Sequence, residues 1–190
     1  MVRVEKYLKV GKIYEGEWLH GNKHGKGISI HPSGTKYKGE FKNRLRNGLG
    51  IETRASGRIY EGEFLNGRRH GFGTVRYDNG DKYIGEFEYD KKHGHGILIN
   101  ADGSEYEGEW RRNKKYGKGV LKDKNGTKYI GEFSKDKMQG HGTLLWPDGR
   151  KYTGGWHKGK LHGTIEFTDW YGTTRKGQWN HGKRTKWLNN

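Results

Sequence analysis

The chain has 190 residues, a formal net charge of +16, 34 Gly, 29% hydrophobic residues and no Cys. The absence of Cys excludes disulfides, thiolate metal sites and Cys nucleophiles, and the low apolar content excludes a thick aliphatic core. Apolar runs fall far short of the roughly 18 residues that a membrane span needs, while the positive charge favours acidic lipids, acidic protein segments or nucleic acid as partners.

The first predicted element is a strand at the N-terminus. Apolar and polar residues alternate from Val2 to Val10, and Gly11 follows. This is the pattern of a strand that ends at a turn. Residues 1–13 are therefore predicted to form an N-terminal capping strand. The same residues contain no apolar segment of the kind found in secretory signals, so none is expected.

A unit of 23 residues then repeats without insertion. Each unit opens with an aromatic residue, a Gly follows two positions later, and a Trp or Phe follows four positions later. A short fixed period is typical of repeat architectures. Apart from Gly155, every Gly lies at one of five positions of the unit, whereas flexible Gly-rich linkers show no such phase.

Each unit is predicted to contain two strands. In the first unit these cover residues 14–19 and 25–30. Period-2 alternation places the aromatic residues and the first Gly on one face of the sheet, and the Glu residues on the other. The rings are expected to lie flat over the Gly residues of neighbouring strands, where no side chain intervenes.

The two turns of a unit are predicted from residues that tolerate positive φ. The first turn carries Gly, Asp or Asn in every unit except one, where Arg44 stands, so that turn is predicted to differ. Because the unit has an odd number of residues, one of its two loops must also have an odd number of residues if all the rings are to share a face. We expect a three-residue second loop with a left-handed Gly, as in residues 78–80. With an even first loop, Trp18 and Phe41 should both lie opposite Gly25.

The sequence thus predicts an all-β fold, an elongated single-layer antiparallel β-meander of about eight 23-residue hairpin repeats, twisted like a ribbon or solenoid. Seven repeats are predicted in residues 14–174, starting at 14, 37, 60, 83, 106, 129 and 152. Residues 175–190 are predicted to be a degenerate eighth repeat and a C-terminal cap. Extra aromatic residues near this end either cover the last sheet edge or contact a partner. They are Trp146, Trp156, Phe167, Trp170, Tyr171, Trp179 and Trp187.

The pattern Tyr-x-Gly-x-Trp/Phe followed by Gly-x-Gly, with this period, resembles the MORN repeat (membrane occupation and recognition nexus). The resemblance extends from residue 14 to about residue 182. It implies a groove-bearing sheet and a non-catalytic module, as in junctophilins, plant phosphatidylinositol phosphate kinases, radial-spoke head proteins and protist cytoskeletal scaffolds. In such proteins the repeats hold a partner helix or peptide, link cytoskeleton to membrane, or contact acidic phospholipid.

The aromatic face is the first candidate binding site. A single-layer sheet cannot bury both faces, so some ring surface is expected to stay in a shallow groove, open to an amphipathic helix or a peptide. The alternative is that the rings serve only as core. The predicted groove residues are Tyr14, Trp18, Tyr37, Phe41, Tyr60, Phe64, Tyr83, Phe87, Tyr106, Trp110, Tyr129, Phe133, Tyr152 and Trp156.

A basic edge is the second candidate. The first turns of successive units lie along one edge of the predicted sheet, and each Lys or Arg near an acidic membrane contributes roughly 1 kcal/mol. The alternative is an edge that only improves solubility. The residues predicted to bind an anionic surface are Lys23, Arg44, Arg46, Arg68, Arg69, Lys91, Lys92, Arg111, Arg112, Lys114, Lys115, Lys137 and Lys160.

No catalytic, cofactor or metal site is predicted. The sequence lacks a Ser/His/Asp order and a Walker motif. Four His residues recur at one turn position because the unit repeats, and no carboxylate or thiol set accompanies them. They are His24, His70, His93 and His162.

The functional interpretation is a non-enzymatic scaffold or adaptor that binds a partner protein in a cytoskeletal or ciliary assembly. The alternative is a peripheral membrane module that binds acidic phospholipids or phosphoinositides through the basic edge. Either agrees with a cytoplasmic location, associated with cytoskeleton or membrane. Nucleic acid is disfavoured because the cations lie at turns and the rings on the sheet face. The terminal strands could also pair end to end in a homodimer.

Overall fold

The computed structural model describes residues 3–9 and 11–188, and the side chains of residues 11–188. The chain divides into two compact units, Met1–His93 (unit one) and Gly94–Asn190 (unit two). No helix in the described residues is long and apolar enough to cross a membrane. Val2 and Val10 of the predicted N-terminal strand lie outside the described residues.

Unit one is a run of antiparallel strands in which each pairs with the next in sequence, from β1 to β8. The strands are β1 Arg3–Lys9, β2 Lys12–Leu19, β3 Asn22–Ile30, β4 Lys36–Lys42, β5 Leu45–Thr53, β6 Ile59–Leu65, β7 Arg68–Arg76 and β8 Lys82–Glu88.

Unit two has the same organisation. It contains most of β9 and all of the strands that follow, and each pairs antiparallel with the next, from β9 to β17. The strands are β9 Lys91–Ile99, β10 Glu105–Arg111, β11 Lys114–Lys122, β12 Lys128–Ser134, β13 Lys137–Leu145, β14 Lys151–His157, β15 Lys160–Thr168, β16 Thr174–Asn180 and β17 Lys183–Trp187. The predicted all-β meander of hairpin repeats is therefore confirmed within each unit.

The first turn of every hairpin has two residues. In the first hairpin His20 and Gly21 have φ of 49° and 73°, as a type I′ turn requires. Asn43 and Arg44 have φ of 49° and 71°, so the prediction that the Arg44 turn differs is wrong. The register of the neighbouring strands holds Arg44 in this left-handed conformation, and its N–H donates to the Lys23 carbonyl at 3.0 Å.

The second turns are three-residue loops, as predicted. The N–H of Tyr77 donates to the Asp81 carbonyl at 2.9 Å, and the N–H of Gly80 donates to the Tyr77 carbonyl at 3.1 Å. Gly80 has φ of 90°. An odd loop and an even loop in each unit put all the rings on one face, because the side-chain period of a strand is two.

The predicted register is right at one strand pairing and wrong at the other. Gly25 lies opposite Phe41 across β3 and β4, as predicted. Across β2 and β3, however, Trp18 lies opposite Lys23 and not opposite Gly25. The register shifts because β3 bulges at residues 24–26, all of which face the single residue Glu17.

In the first hairpin the Glu17 carboxylate binds the backbone of this bulge. The N–H of Lys26 donates to Glu17 Oε1 at 3.0 Å. Gly25 has φ of 58°, and a Cβ atom there would lie 2.2 Å from Glu17 Oε2, so both backbone conformation and space require Gly. The same bond recurs with 2.8–3.1 Å in other repeats. The pairs are Leu49 to Glu40, Phe72 to Glu63, Lys118 to Glu109 and His141 to Glu132.

Replacement of Glu63 by Ala should lower the free energy of unfolding by about 1 kcal/mol, because the Phe72 N–H loses its charged acceptor. Glu61→Ala is the matched control, since Glu61 lies on the same strand and exposed face. That control should stay within about 0.5 kcal/mol of the wild type. Urea denaturation measures both. Equal costs for the two variants would contradict the assigned role of Glu63.

The core is a row of aromatic rings in edge-to-face contact. Tyr60 packs against Phe64 at a centroid distance of 5.1 Å and against Phe87 at 5.2 Å, a favourable geometry for aromatic pairs. The opening Tyr residues from Tyr14 to Tyr129 each donate a hydrogen bond from Oη to a backbone carbonyl, and for Tyr37 the acceptor is the Glu40 carbonyl at 2.9 Å. Burial raises the pKa of Tyr37 to about 12, so this phenol keeps its proton at neutral pH.

The last repeats depart from the pattern without losing the core. Ile165 takes the place of a paired Gly and is fully buried, and Trp179 is 7% exposed. Trp170 and Tyr171, in contrast, are 60% and 83% exposed. The aromatic residues of this end thus divide between core and surface. The division of the chain into a cap, seven repeats and a degenerate eighth repeat stays a prediction.

Candidate functional site

The aromatic residues predicted to form a groove are almost all core. The opening Tyr residues from Tyr14 to Tyr129 are 0–2% exposed, and the second aromatics from Phe41 to Trp156 are 3–5% exposed. Trp18 and Tyr152 are half-buried. Contact between a partner and these rings stays a prediction. The buried residues are Tyr14, Tyr37, Phe41, Tyr60, Phe64, Tyr83, Phe87, Tyr106, Trp110, Tyr129, Phe133 and Trp156.

Basic side chains lie over the rings in unit one. Lys23 Nζ is 4.6 Å from the Tyr14 ring centroid. The Arg69 guanidinium is 5.6 Å from the Tyr60 centroid and 5.4 Å from that of Phe87. These distances are those of cation–π contacts. The ring face of unit one therefore presents cations to solvent, each contributed by the residue nine positions after an opening Tyr.

The predicted anionic-surface residues divide into two groups. One group is half-buried, and its members occupy this ninth position over the rings: Lys23, Arg46, Arg69, Lys92 and Lys115. The other group is exposed in or beside the first turns: Arg44, Arg68, Lys91, Arg111, Arg112, Lys114, Lys137 and Lys160. Their binding to an anionic surface stays a prediction, but only the second group is free to approach one without disturbing the core.

A groove of about 550 Å³ opens on the ring face of unit one. Tyr37 and Phe41 line it together with Arg46 and Arg54. Glu52, also in the lining, is 6% exposed and accepts hydrogen bonds from both guanidiniums, at 2.9 Å from Arg54 Nε. Burial alone would raise the pKa of the Glu52 carboxyl, but the two Arg side chains outweigh it and lower this pKa. We call this space the ring-face groove.

The opposite face of unit one carries exposed apolar side chains. Leu49 is 62% exposed, Phe72 57%, Ile28 41% and Ile51 39%. Ile28 and Leu49 line a groove of about 620 Å³ whose lining includes Gly27. We call these four side chains the apolar face. The prediction of a ring groove missed them. The signal was in the sequence, because they recur 12 and 14 positions after an opening Tyr.

Unit two has a similar groove of about 670 Å³ on its Glu-bearing face. Val120 and Ile130 line it and are 36% and 50% exposed. His95 and His141 lie at its margin, and His95 Nε2 is 3.6 Å from Glu107 Oε1. Apolar side chains beside glycines thus recur on this face in both units.

His24, His70 and His162 lie in the bulges of their strands. The Nδ1 atoms of His24, His70 and His93 are buried and accept or donate no hydrogen bond among the described residues, although His93 Nδ1 is 3.3 Å from Glu88 Oε2. Within residues 11–188 no group of three His, Cys, Asp or Glu side chains could hold a metal ion.

Comparison with protein-family models finds one repeated match, to the MORN repeat. The matched segments are residues 14–36, 37–57, 60–82, 83–105, 106–128, 129–149 and 152–164. Together they cover most of the chain.

Among curated proteins, the chain is similar to Alsin of Homo sapiens and of Mus musculus, each 46% identical over 37 residues. These residues are 20% of this chain and 2% of Alsin, so the chain spans only a small fraction of the length of these relatives.

Two solved structures have a similar fold. The first is the TCP domain of SAS-4 (dCPAP) of Drosophila melanogaster in complex with a proline-rich motif of Ana2, with TM-score 0.51 and 15% identity over 80% of this chain and 83% of that one. The second is the TCP10 domain of Danio rerio CPAP in complex with a STIL peptide, with TM-score 0.50 and 13% identity over 95% and 80%. At these identities the likeness concerns the fold alone.

Proposed function

The chain belongs to the MORN repeat family, and from this premise we propose that it is a non-enzymatic scaffold that binds a helix or peptide of a partner protein. The observation that carries the proposal is the apolar face of unit one. Leu49, Phe72, Ile28 and Ile51 are all exposed on this face, and exposed apolar side chains gathered on one face are a common mark of protein–protein contact. The surface is built from paired strands, so it is preformed.

The spacing of the apolar face suits an amphipathic helix. Leu49 and Phe72 occupy the same position in successive repeats, as do Ile28 and Ile51. Two strands separate equivalent positions, which is about 9.6 Å. Seven residues of a helix rise about 10.5 Å. A helix lying across the strands could therefore place one apolar side chain per heptad against each repeat.

The two TCP domains support this proposal, since each was solved with a peptide of another protein bound. A cytoskeletal or ciliary assembly, with a cytoplasmic location beside cytoskeleton or membrane, is the setting we propose. It follows from the resemblance to MORN scaffolds. End-to-end pairing of two copies stays a prediction.

A three-bait comparison tests the proposal. The baits are the wild type, a Leu49→Gln/Phe72→Gln variant, and a Tyr171→Gln control that alters an exposed aromatic residue away from the apolar face. Captured proteins are quantified by mass spectrometry, and each protein lost with the double variant is purified and titrated against all three baits. Direct binding that the double variant alone loses is the expected result. Captures and affinities that do not differ among the baits would contradict the proposal.

The exposed turn cations favour acidic phospholipid as a second candidate partner. Arg68 and Lys91 occupy successive hairpins of unit one and are both exposed. Co-sedimentation should compare phosphatidylserine vesicles with phosphoinositide vesicles of the same total charge, and both with neutral vesicles. The salt concentration should be about 150 mM, where the Debye length is about 8 Å. If the exposed turn cations bind the vesicles, the Arg68→Glu/Lys91→Glu variant should no longer sediment with them. Arg69 and Lys92 are left intact because they cover the rings. Binding that depends on vesicle charge alone would reject phosphoinositide recognition.

A further inference from the structure

Two of the cations over the rings, Arg69 and Lys115, have an Asp in the next first turn. In unit one Asp90 is that neighbour of Arg69. The N–H of Arg69 donates to Asp90 Oδ1 at 3.1 Å, and its Nη2 donates to the Asp90 carbonyl at 2.8 Å. In unit two the N–H of Lys115 donates to Asp136 Oδ1 at 3.0 Å. These repeats thus supply a carboxylate of their own.

The repeat that begins at Tyr37 places a second cation, Arg44, at this position beside Lys23. The N–H of Arg44 donates to the Lys23 carbonyl at 3.0 Å, as the N–H of Asp90 does to the Arg69 carbonyl, also at 3.0 Å. Arg44 is therefore the structural equivalent of Asp90. Its side chain is exposed, and Nε donates to Asn22 Oδ1.

Lys23 has no counter-ion to replace the missing Asp. Its Nζ lies 4.6 Å from the Tyr14 centroid and 5.9 Å from that of Phe41, and no ion pair to it is found among the described residues. Burial, together with the charge of Lys12, lowers the pKa of Lys23. The positive charge on this side chain is thus partly desolvated and uncompensated, so a bound anion would stabilise it.

Lys23 and Arg44 both line the ring-face groove. Arg46 and Arg54 line it too, but both are paired with Glu52. The groove therefore has an excess of positive charge, and Lys23 and Arg44 are the two cations in its lining that are not paired with Glu52.

We propose that the ring-face groove binds an acidic peptide segment of a partner protein, with one Asp or Glu carboxylate between Lys23 and Arg44. Asp90 Oδ1 accepts from Arg69 Nε at 3.3 Å, so a cation over the rings takes a carboxylate as its partner elsewhere in unit one. Charge-assisted hydrogen bonds to guanidinium and ammonium groups are among the strong ones. This site lies on the face opposite the apolar face of unit one, so it does not depend on binding there.

The test uses a fluorescein-labelled peptide, Gly-Ser-Asp-Glu-Asp-Gly-Ser, and its Asn/Gln counterpart, in anisotropy titrations at about 150 mM salt. Arg44→Asp introduces the counter-ion that Asp90 supplies to Arg69, and this variant should fold because Asp90 occupies the same turn position. Arg112→Asp is the matched control, with the same change of charge in a turn of unit two. Inorganic phosphate is the competitor that distinguishes a simple anion from a peptide.

The wild type should bind the acidic peptide and not the Asn/Gln peptide. Arg44→Asp should weaken binding about tenfold or more, whereas Arg112→Asp should change it less than about twofold. Equal losses of peptide affinity in the two variants would overturn the site, because they would indicate general attraction to a basic protein. Complete displacement of the peptide by low-millimolar phosphate would overturn the peptide as the occupant. The Leu49→Gln/Phe72→Gln variant should bind this peptide normally, which separates this inference from the proposed function.

Discussion

Replacement of Trp110 by Ala should lower the free energy of unfolding by about 3–5 kcal/mol, the usual cost of truncating a buried aromatic side chain. Trp110 is 4% exposed, and its indole N–H donates to the Gly96 carbonyl at 2.9 Å. It also packs edge to face against Tyr106 at 5.2 Å. The loss therefore combines a cavity, an aromatic pair and a buried hydrogen bond.

Trp170→Ala is the matched control for Trp110, because Trp170 is 60% exposed. This change should stay within about 0.5 kcal/mol of the wild type. Urea denaturation followed by circular dichroism measures both variants without relying on Trp fluorescence. If Trp110→Ala were as mild as the control, the ring would not be core, and the original prediction of a ring surface available to a partner would gain support.

Replacement of Gly73 by Ala should cost about 2–3 kcal/mol. A Cβ atom at this position would lie 2.5 Å from Tyr60 Oη and 2.6 Å from Tyr60 Cε2. The Tyr60 ring would have to shift, and its hydrogen bond to the Glu63 carbonyl, now 2.8 Å, would be strained. Overpacking of a well-filled site typically costs 1–3 kcal/mol, that is, about this amount.

Gly149→Ala separates steric overlap from backbone strain. Gly149 has φ of +89° and nothing within 4 Å of an added Cβ atom, so only conformational strain of about 1 kcal/mol is expected. Thermal and urea denaturation of the two variants should rank Gly73→Ala as clearly the more damaging. The reverse order would mean that the rings do not rest on the Gly-bearing strands.

Local periodicity in the sequence was enough to predict the repeat, the antiparallel hairpins and the common face of the rings. The odd unit length required one odd loop, and the loop at residues 78–80 has the predicted left-handed Gly80. These features depend on the side-chain period of two and on which residues tolerate positive φ. Both are properties of a few neighbouring residues.

The bulges and the Arg44 turn depended on pairing between strands. The alternating pattern predicts that Glu17 faces solvent, yet its carboxylate accepts a hydrogen bond from the backbone of β3 across the hairpin. The sequence predicts a different turn at Arg44, yet the strands on either side impose on it the same two-residue turn that the other hairpins have. In both cases contacts from another strand outweigh the local preference of the residue.

Alternation in the sequence therefore determined which side chains share a face, whereas only the tertiary structure decided which face is covered. The rings are buried because they pack against one another across the strands and because Lys23 and Arg69 lie over them from the neighbouring strands. Leu49 and Phe72 remain exposed because none of the described side chains of unit one packs over their face. Burial depends on what approaches a face from across the sheet, and a period of two along one strand carries no information about that.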